Sequence, residues 1–270
     1  MPDSERLLEL FELNFTDGFV TARHTATHGD LAKRYPWHLL RPEDVPPALL
    51  DRARHALTVQ ALSEYGSSVS MAQMVESIAR ARMPVDLLTL AAGFVAEELV
   101  HAECFARLAM QLGGATPIPF PSEQLALALP STLTVRQRAN ELVVRLCCVG
   151  EAFSGPMLKA GAEISTNPLI RAILDRLVRD EALHGRFGWL YLDWVQDQLD
   201  DKERTRLGAA AKDALAQIMK LWPRATLEKR APFGLESLGW LPPHAYRERA
   251  LETVESAVRQ PLKRYGILLE

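Results

Sequence analysis

Cysteine is scarce in this chain. The three present, Cys104, Cys147 and Cys148, make no disulfide framework and include no Cys-x-x-Cys pair to hold a rubredoxin-type iron. A basic surplus is also missing: 31 Lys and Arg stand against 34 Asp and Glu, a net charge of −3, so nucleic acid is not an expected partner. No apolar run approaches the roughly twenty residues that span a bilayer, which excludes a membrane role from the expectations. Met1 to Leu13 mixes acids with apolar residues and lacks the basic start and small-residue cleavage site of a secretion signal. A cytoplasmic location is therefore expected. No convincing period-two alternation is present, so strands are not expected either.

Helical periodicity fills the space these absences leave. The expected organisation is one all-α domain over 1–270, with a metal-binding bundle core at 46–200 and a C-terminal helical extension at 201–270. A short helix is expected at 4–14, followed by irregular chain to Pro47. Helix 1 should run over 47–82. Helix 2 should run from Pro84 to a stop at Gly113-Gly114, since proline suits a first turn and glycine a helix end. A proline-rich crossover, Ala115 to Pro130, precedes helix 3, expected from an N-cap at Ser131 to Thr166. Helix 4 should start at Pro168 and reach Leu199. Further helices are expected near 202–221 and 243–260. Pro156 lies inside helix 3, where proline kinks a helix or opens a bulge.

Two copies of one short pattern stand on helices 2 and 4: Glu97-Glu98-Leu99-Val100-His101 and Asp180-Glu181-Ala182-Leu183-His184. Spacing i, i+3 puts Glu98 beside His101, and Glu181 beside His184, on one helix face. Apolar flanks turn those faces inward, which argues against surface salt-bridge partners. A carboxylate and an imidazole supplied twice are half-sites for two metal ions, and such a site needs one more carboxylate from each of two other helices. Glu64 lies twenty residues before the turn at Pro84, and Glu98 fourteen after it. Glu151 lies seventeen before Pro168, and Glu181 thirteen after. At about 1.5 Å per residue, the partners differ in depth by only roughly 6 to 9 Å. Glu76 and Glu163 are too near their turns, and Glu141 is too far. The expected ligands are Glu64, Glu98, His101, Glu151, Glu181 and His184.

Four carboxylates balance two divalent cations, and this oxygen and nitrogen donor set suits iron, or manganese in one or both positions. Glu97 and Asp180 are then placed to accept the second N–H of the histidine on the opposite helix.

On these residues, the chain over about 46–200 resembles the ferritin-like di-iron carboxylate superfamily. Glu151, followed after twenty-eight residues by Asp180-Glu181-x-x-His184, resembles the signature of p-aminobenzoate N-oxygenases. That family adds a third histidine one turn before its last ligand Glu, where this chain has Leu177. The resemblance implies a ferritin-like four-helix bundle with additional N- and C-terminal helices. It further implies a non-haem di-iron oxygenase or oxidase that activates dioxygen to oxidise a small organic metabolite by hydroxylation, N-oxygenation or desaturation, drawing on an external electron donor. A ferroxidase or peroxidase handling iron, or a non-catalytic bundle, is the alternative. Homodimerisation is a further expectation.

Small residues recur one turn from the expected ligands: Ser68, Gly155 and Gly188. With Phe94 they are candidate walls of a substrate pocket, against the alternative of close helix packing. Phe153, Phe187 and Tyr191 are candidates for the same space or for plain core, and Cys147 for the site or a small hydrophobe. His24 and His28 read as surface or capping residues, and His38, His55 and His244 as structural ones.

Overall fold

The computed structural model describes residues 9–220 and 234–270. Two long antiparallel helices form the first hairpin, α3 (Pro47–Arg80) and α4 (Val85–Gln111). Pro46, Pro47 and Pro84 start them as expected. Helix 3 of the sequence reading is one continuous rod in three parts: α5 (Val135–Val143), a π-helical stretch (Val144–Glu151) and α6 (Ala152–Ile164). It starts at a different cap from the expected Ser131. Thr134 Oγ1 accepts from the Gln137 amide at 3.2 Å, and Gln137 Oε1 accepts from the Thr134 amide at 3.1 Å, a reciprocal capping box. The widened turn ends five residues before Pro156, which cannot donate to the turn behind it. In α7 (Pro168–Val195), Asn167 caps the Leu169 and Ile170 amides with its side-chain oxygen.

The termini depart from expectation in two places. Of the helix expected at 4–14, residues 4–8 lie outside the described residues and 9–14 form no helix. There Leu10 bridges Pro119, and the Phe11 amide donates to the Ile118 carbonyl at 3.0 Å, so this arm pairs with the crossover. Within the stretch expected to be irregular, α1 (Phe19–His28) and α2 (Leu31–Arg34) form. No residue of α1 is buried, so it carries none of the apolar periodicity that reveals a helix in sequence. After the bundle, α8 (Asp201–Met219) packs on the π-helical stretch. Helical chain then runs from Pro243 through a second π-helical stretch (Val254–Arg259) to Arg264, slightly beyond the expected end. Part of the expected 232–243 spacer lies outside the described residues; Leu235–Leu238 forms a 3-10 turn. Among the described residues no strand occurs beyond the single Leu10–Pro119 bridge.

Two apolar cores stack along the bundle axis. One holds Met71, Phe94, Phe187 and Tyr191; the other holds Leu57, Leu108, Ile173 and Leu177. Between them α3, α4 and α7 each carry polar residues at one level: Glu64, then Glu98 and His101, then Glu181 and His184. Each sits between residues that burial makes inert, and this locates the site.

Candidate metal centre

All six expected ligands converge on this polar layer. Glu64, Glu98, His101 and Glu181 each offer one atom within 4.8 Å of the others, and so do Glu98, Glu151, Glu181 and His184. Glu98 and Glu181 belong to both groups, so two adjacent cation positions would share them. Glu98, His101, Glu181 and His184 are at most 3% exposed. The imidazoles turn Nδ1 inward: His101 Nδ1 lies 3.3 Å from Glu181 Oε1, and His184 Nδ1 lies 3.1 Å from Glu98 Oε1.

The outward Nε2 atoms are held across the α4–α7 interface. His101 Nε2 meets Asp180 at 3.1 Å, and His184 Nε2 meets Glu97 at 2.8 Å. With Nε2–H donating to an acid, each Nδ1 presents a lone pair to the centre. The outer carboxylates are also held. Gln60 donates to Glu64 Oε1 at 2.6 Å, and Ser154 donates to Glu151 Oε2 at 3.1 Å. Neither donor stands out in sequence, because polar residues one turn from an acid are common on any helix.

Burial raises the Glu64 and Glu151 carboxyls well above their usual range, and neighbouring carboxylates add to it. Glu181 moves the opposite way despite its burial, because Glu151, His101 and His184 lie against it and favour its charged form. Burial opposes charge on the imidazoles, but their acid partners outweigh it and raise His101 to about 10 and His184 to about 12. A divalent cation among these acids and imidazoles would relieve the acids' mutual repulsion. Alignment makes the same point. Glu98 Oε1, His101 Nδ1, Glu181 Oε2 and His184 Nδ1 are fully buried and find no hydrogen-bond partner among the described residues. Buried polar atoms seldom go unpaired, and these four face one small space. The donor set fits two divalent transition-metal ions.

The pocket candidates divide. Phe94 packs its ring 4.3 Å from His184 and 5.4 Å from Phe187, walling the site itself. Gly155 lines an open groove of about 590 Å³ that reaches Glu151 and Glu181 between α6 and α7. Gly188 does not line this groove: a Cβ there would lie 2.7 Å from Cys148 Sγ, so it makes room for the widened turn. Ser68 donates to the Tyr65 carbonyl at 2.7 Å and lines neither cavity. Phe153 lines a second cavity of about 640 Å³, while the Tyr191 hydroxyl donates to Asn140 at 2.7 Å. Cys147 packs on Met74, and burial raises its thiol well above the usual range. His24 is more than a surface residue, lying 3.1 Å from the buried acid Glu103. Sequence gave no sign of a contact spanning 79 positions.

No family model and no curated protein sequence matches the chain. Among solved structures it is similar to a Synechococcus protein described as having aldehyde deformylating oxidase activity. The TM-score is 0.58 at 14% identity, covering 83% of this chain and 94% of that one. At that identity the likeness shows the fold, a ferritin-like helical bundle.

Proposed function

We propose that the chain is a non-haem di-iron oxidoreductase that uses dioxygen to oxidise an organic molecule. The observation that carries this reading is the set of four buried, unpartnered donor atoms shared between two overlapping ligand groups. Its similarity to a bundle described as an oxidase agrees with it. When bound, two iron ions would supply the one-electron and dioxygen chemistry that no side chain here can perform.

The protein's part is to hold and to exclude. Asp180 and Glu97 keep each Nε2 proton and so fix the ring planes. Gln60 and Ser154 orient the two outer carboxylates. The apolar cores above and below keep bulk water from Glu98, His101 and His184. Where the organic molecule does not provide every electron, an external donor supplies the rest. The position of the third histidine is held by Leu177, an apolar side chain fully buried in the lower core that offers no ligand atom, which favours a plain two-histidine centre over the N-oxygenase arrangement. The ferroxidase alternative calls for a carboxylate-lined path to the surface. The larger cavity reaching the site has mainly apolar walls instead, including Leu57, Phe105, Met157 and Trp240.

The test is to load the protein anaerobically with iron(II), count iron per chain, admit dioxygen in the presence of organic compounds, and analyse products by mass spectrometry. Two irons and an oxidised organic product are expected. Oxygen consumption that oxidises only added iron(II), with no organic product, would replace this reading by the ferroxidase one.

A further inference from the structure

The two hairpins are not packed evenly. α3 lies against α4, and α6 against α7, but α3 and α6 barely touch. The gap between them is the cavity of about 640 Å³, which has Glu64, Glu151 and Glu181 at one end. Its α3 wall recurs at Arg52, Ala56, Gln60, Glu64 and Ser67, one face of the helix. From Arg52 to Ser67 that face extends roughly 22 Å. α6 runs the other way, so Glu151 and Ser154 lie at the carboxylate end and Leu158 and Gly161 at the far end. Leu238 and Trp240 of the C-terminal extension cover the far part. Volume divided by length leaves a cross-section of only about 30 Å² over this helix rise. The charged wall residues are Arg52, which is exposed at the outer end, and the three acids at the inner end. Between them the described walls carry no charge.

We propose that this cavity is the substrate channel, and that the substrate is an extended, unbranched, mainly apolar chain whose reacting end lies between Glu64 and Glu151. The inference rests on the oxidoreductase reading for what happens at that end, but not for the shape of the ligand. A long bore, uncharged between its ends, selects a linear molecule over a compact one of equal apolarity, because only the linear one fills it. The groove lined by Gly155 differs in kind. It is rimmed by Lys159, Glu163, Arg186 and Arg249, which suits small polar reactants.

The length of the bore sets a measurable limit. Arg52 lies twelve residues from Glu64, or roughly 18 Å. An extended chain advances about 1.2 Å per bond, so about fifteen carbons span that distance. Ala56 is eight residues from Glu64, roughly 12 Å, or about ten carbons.

Binding of straight-chain primary alcohols from hexan-1-ol to hexadecan-1-ol to the full chain, by calorimetry, tests this, with adamantan-1-ol as the compact control. Affinity should tighten about fourfold per methylene and stop tightening near fifteen carbons. Adamantan-1-ol should bind no better than hexan-1-ol. Ala56→Trp, and from the facing wall Leu158→Trp, should bring the limit down to about ten carbons while circular dichroism and iron stoichiometry stay unchanged. A flat series, tight binding of adamantan-1-ol, or an unmoved limit in a folded variant would overturn the proposal. If neither variant folds, the wild-type series decides. Chain-length selection without iron would sink the oxidoreductase reading alone; iron loading without chain-length selection would sink this inference alone.

Discussion

At the contact between α5 and α8, Glu141 meets both Arg145 and Arg206, and Glu203 meets Arg206 and the Asn140 amide. Tyr191 donates to the other side of Asn140. At the bundle centre, four carboxylates meet two imidazoles and four buried atoms go unpaired. Both clusters are buried polar groups in a helical core, where an uncompensated charge costs several kcal/mol. The first is complete within the chain, because each acid is matched by a donor fixed in the fold. The second is complete only with cations from outside. Buried acids therefore identify a site by what they lack, and their number alone says little.

Removing the shared carboxylate should break this comparison most sharply. Glu181→Ala should lower bound iron from two per chain to none, while Glu64→Ala, which touches one group only, should leave one. Helicity should survive in both, since removing a buried acid relieves repulsion in the metal-free protein. Iron analysis beside circular dichroism checks this, and equal loss in the two variants would deny that Glu181 is shared. At the other cluster the signs reverse. Arg206→Met should cost about 2 kcal/mol, because it strands Glu141 and Glu203, with the estimate reduced for partial exposure. That corresponds to a melting temperature lower by roughly 4 to 8 °C, with two irons still bound. Asp180→Asn and Glu97→Gln should weaken iron affinity by roughly tenfold or more while leaving the saturated stoichiometry at two.

Smallest is the acid response of the α5–α8 cluster. Burial raises the Glu203 carboxyl, but its bonds to Arg206 and Asn140 outweigh this and hold it below its usual 4.5. A lowered carboxyl stabilises the fold above its unfolded value and ceases to as pH falls through the folded one. Stability by urea titration should therefore decline below about pH 4.5, and Glu203→Gln should flatten that part of the profile.

How much of this was legible in sequence depends on how local each signal is. Glu98 with His101, and Glu181 with His184, are one turn apart on apolar helices, so spacing alone exposes them. Glu64 and Glu151 were reached by depth from the prolines that end their helices, because a helix has a fixed rise. α1 stayed hidden since it buries nothing, and glycines at both its ends, Gly18 and Gly29, hide it among turn signals. The Thr134 cap lost to Ser131 because both are good caps, and only the reciprocal bond from Gln137 decides between them. Gly188 was placed in a pocket because a helical glycine signals space without saying what fills it; here it is Cys148. The gap between α3 and α6 has no sequence signature at all, as its walls mix apolar residues like those of either core with polar ones, Gln60, Ser63 and Ser67, of the kind any exposed helix face carries.

The widened turn at Val144–Glu151 gives its helix something an unbroken rod does not have, a spare residue. Upstream of it Asn140 and Glu141 address α8; downstream Ser154 steadies Glu151 against α7. Elsewhere along this helix, deleting one position would turn everything beyond it by about 100° relative to its partners. Within 144–150 the same deletion would only draw the wide turn back to an ordinary one, and both flanks would keep their bearings. The turn is thus a slip joint between two surfaces of fixed orientation. Gly188 is the clearance cut for it in α7, and a shortened joint would leave that clearance empty.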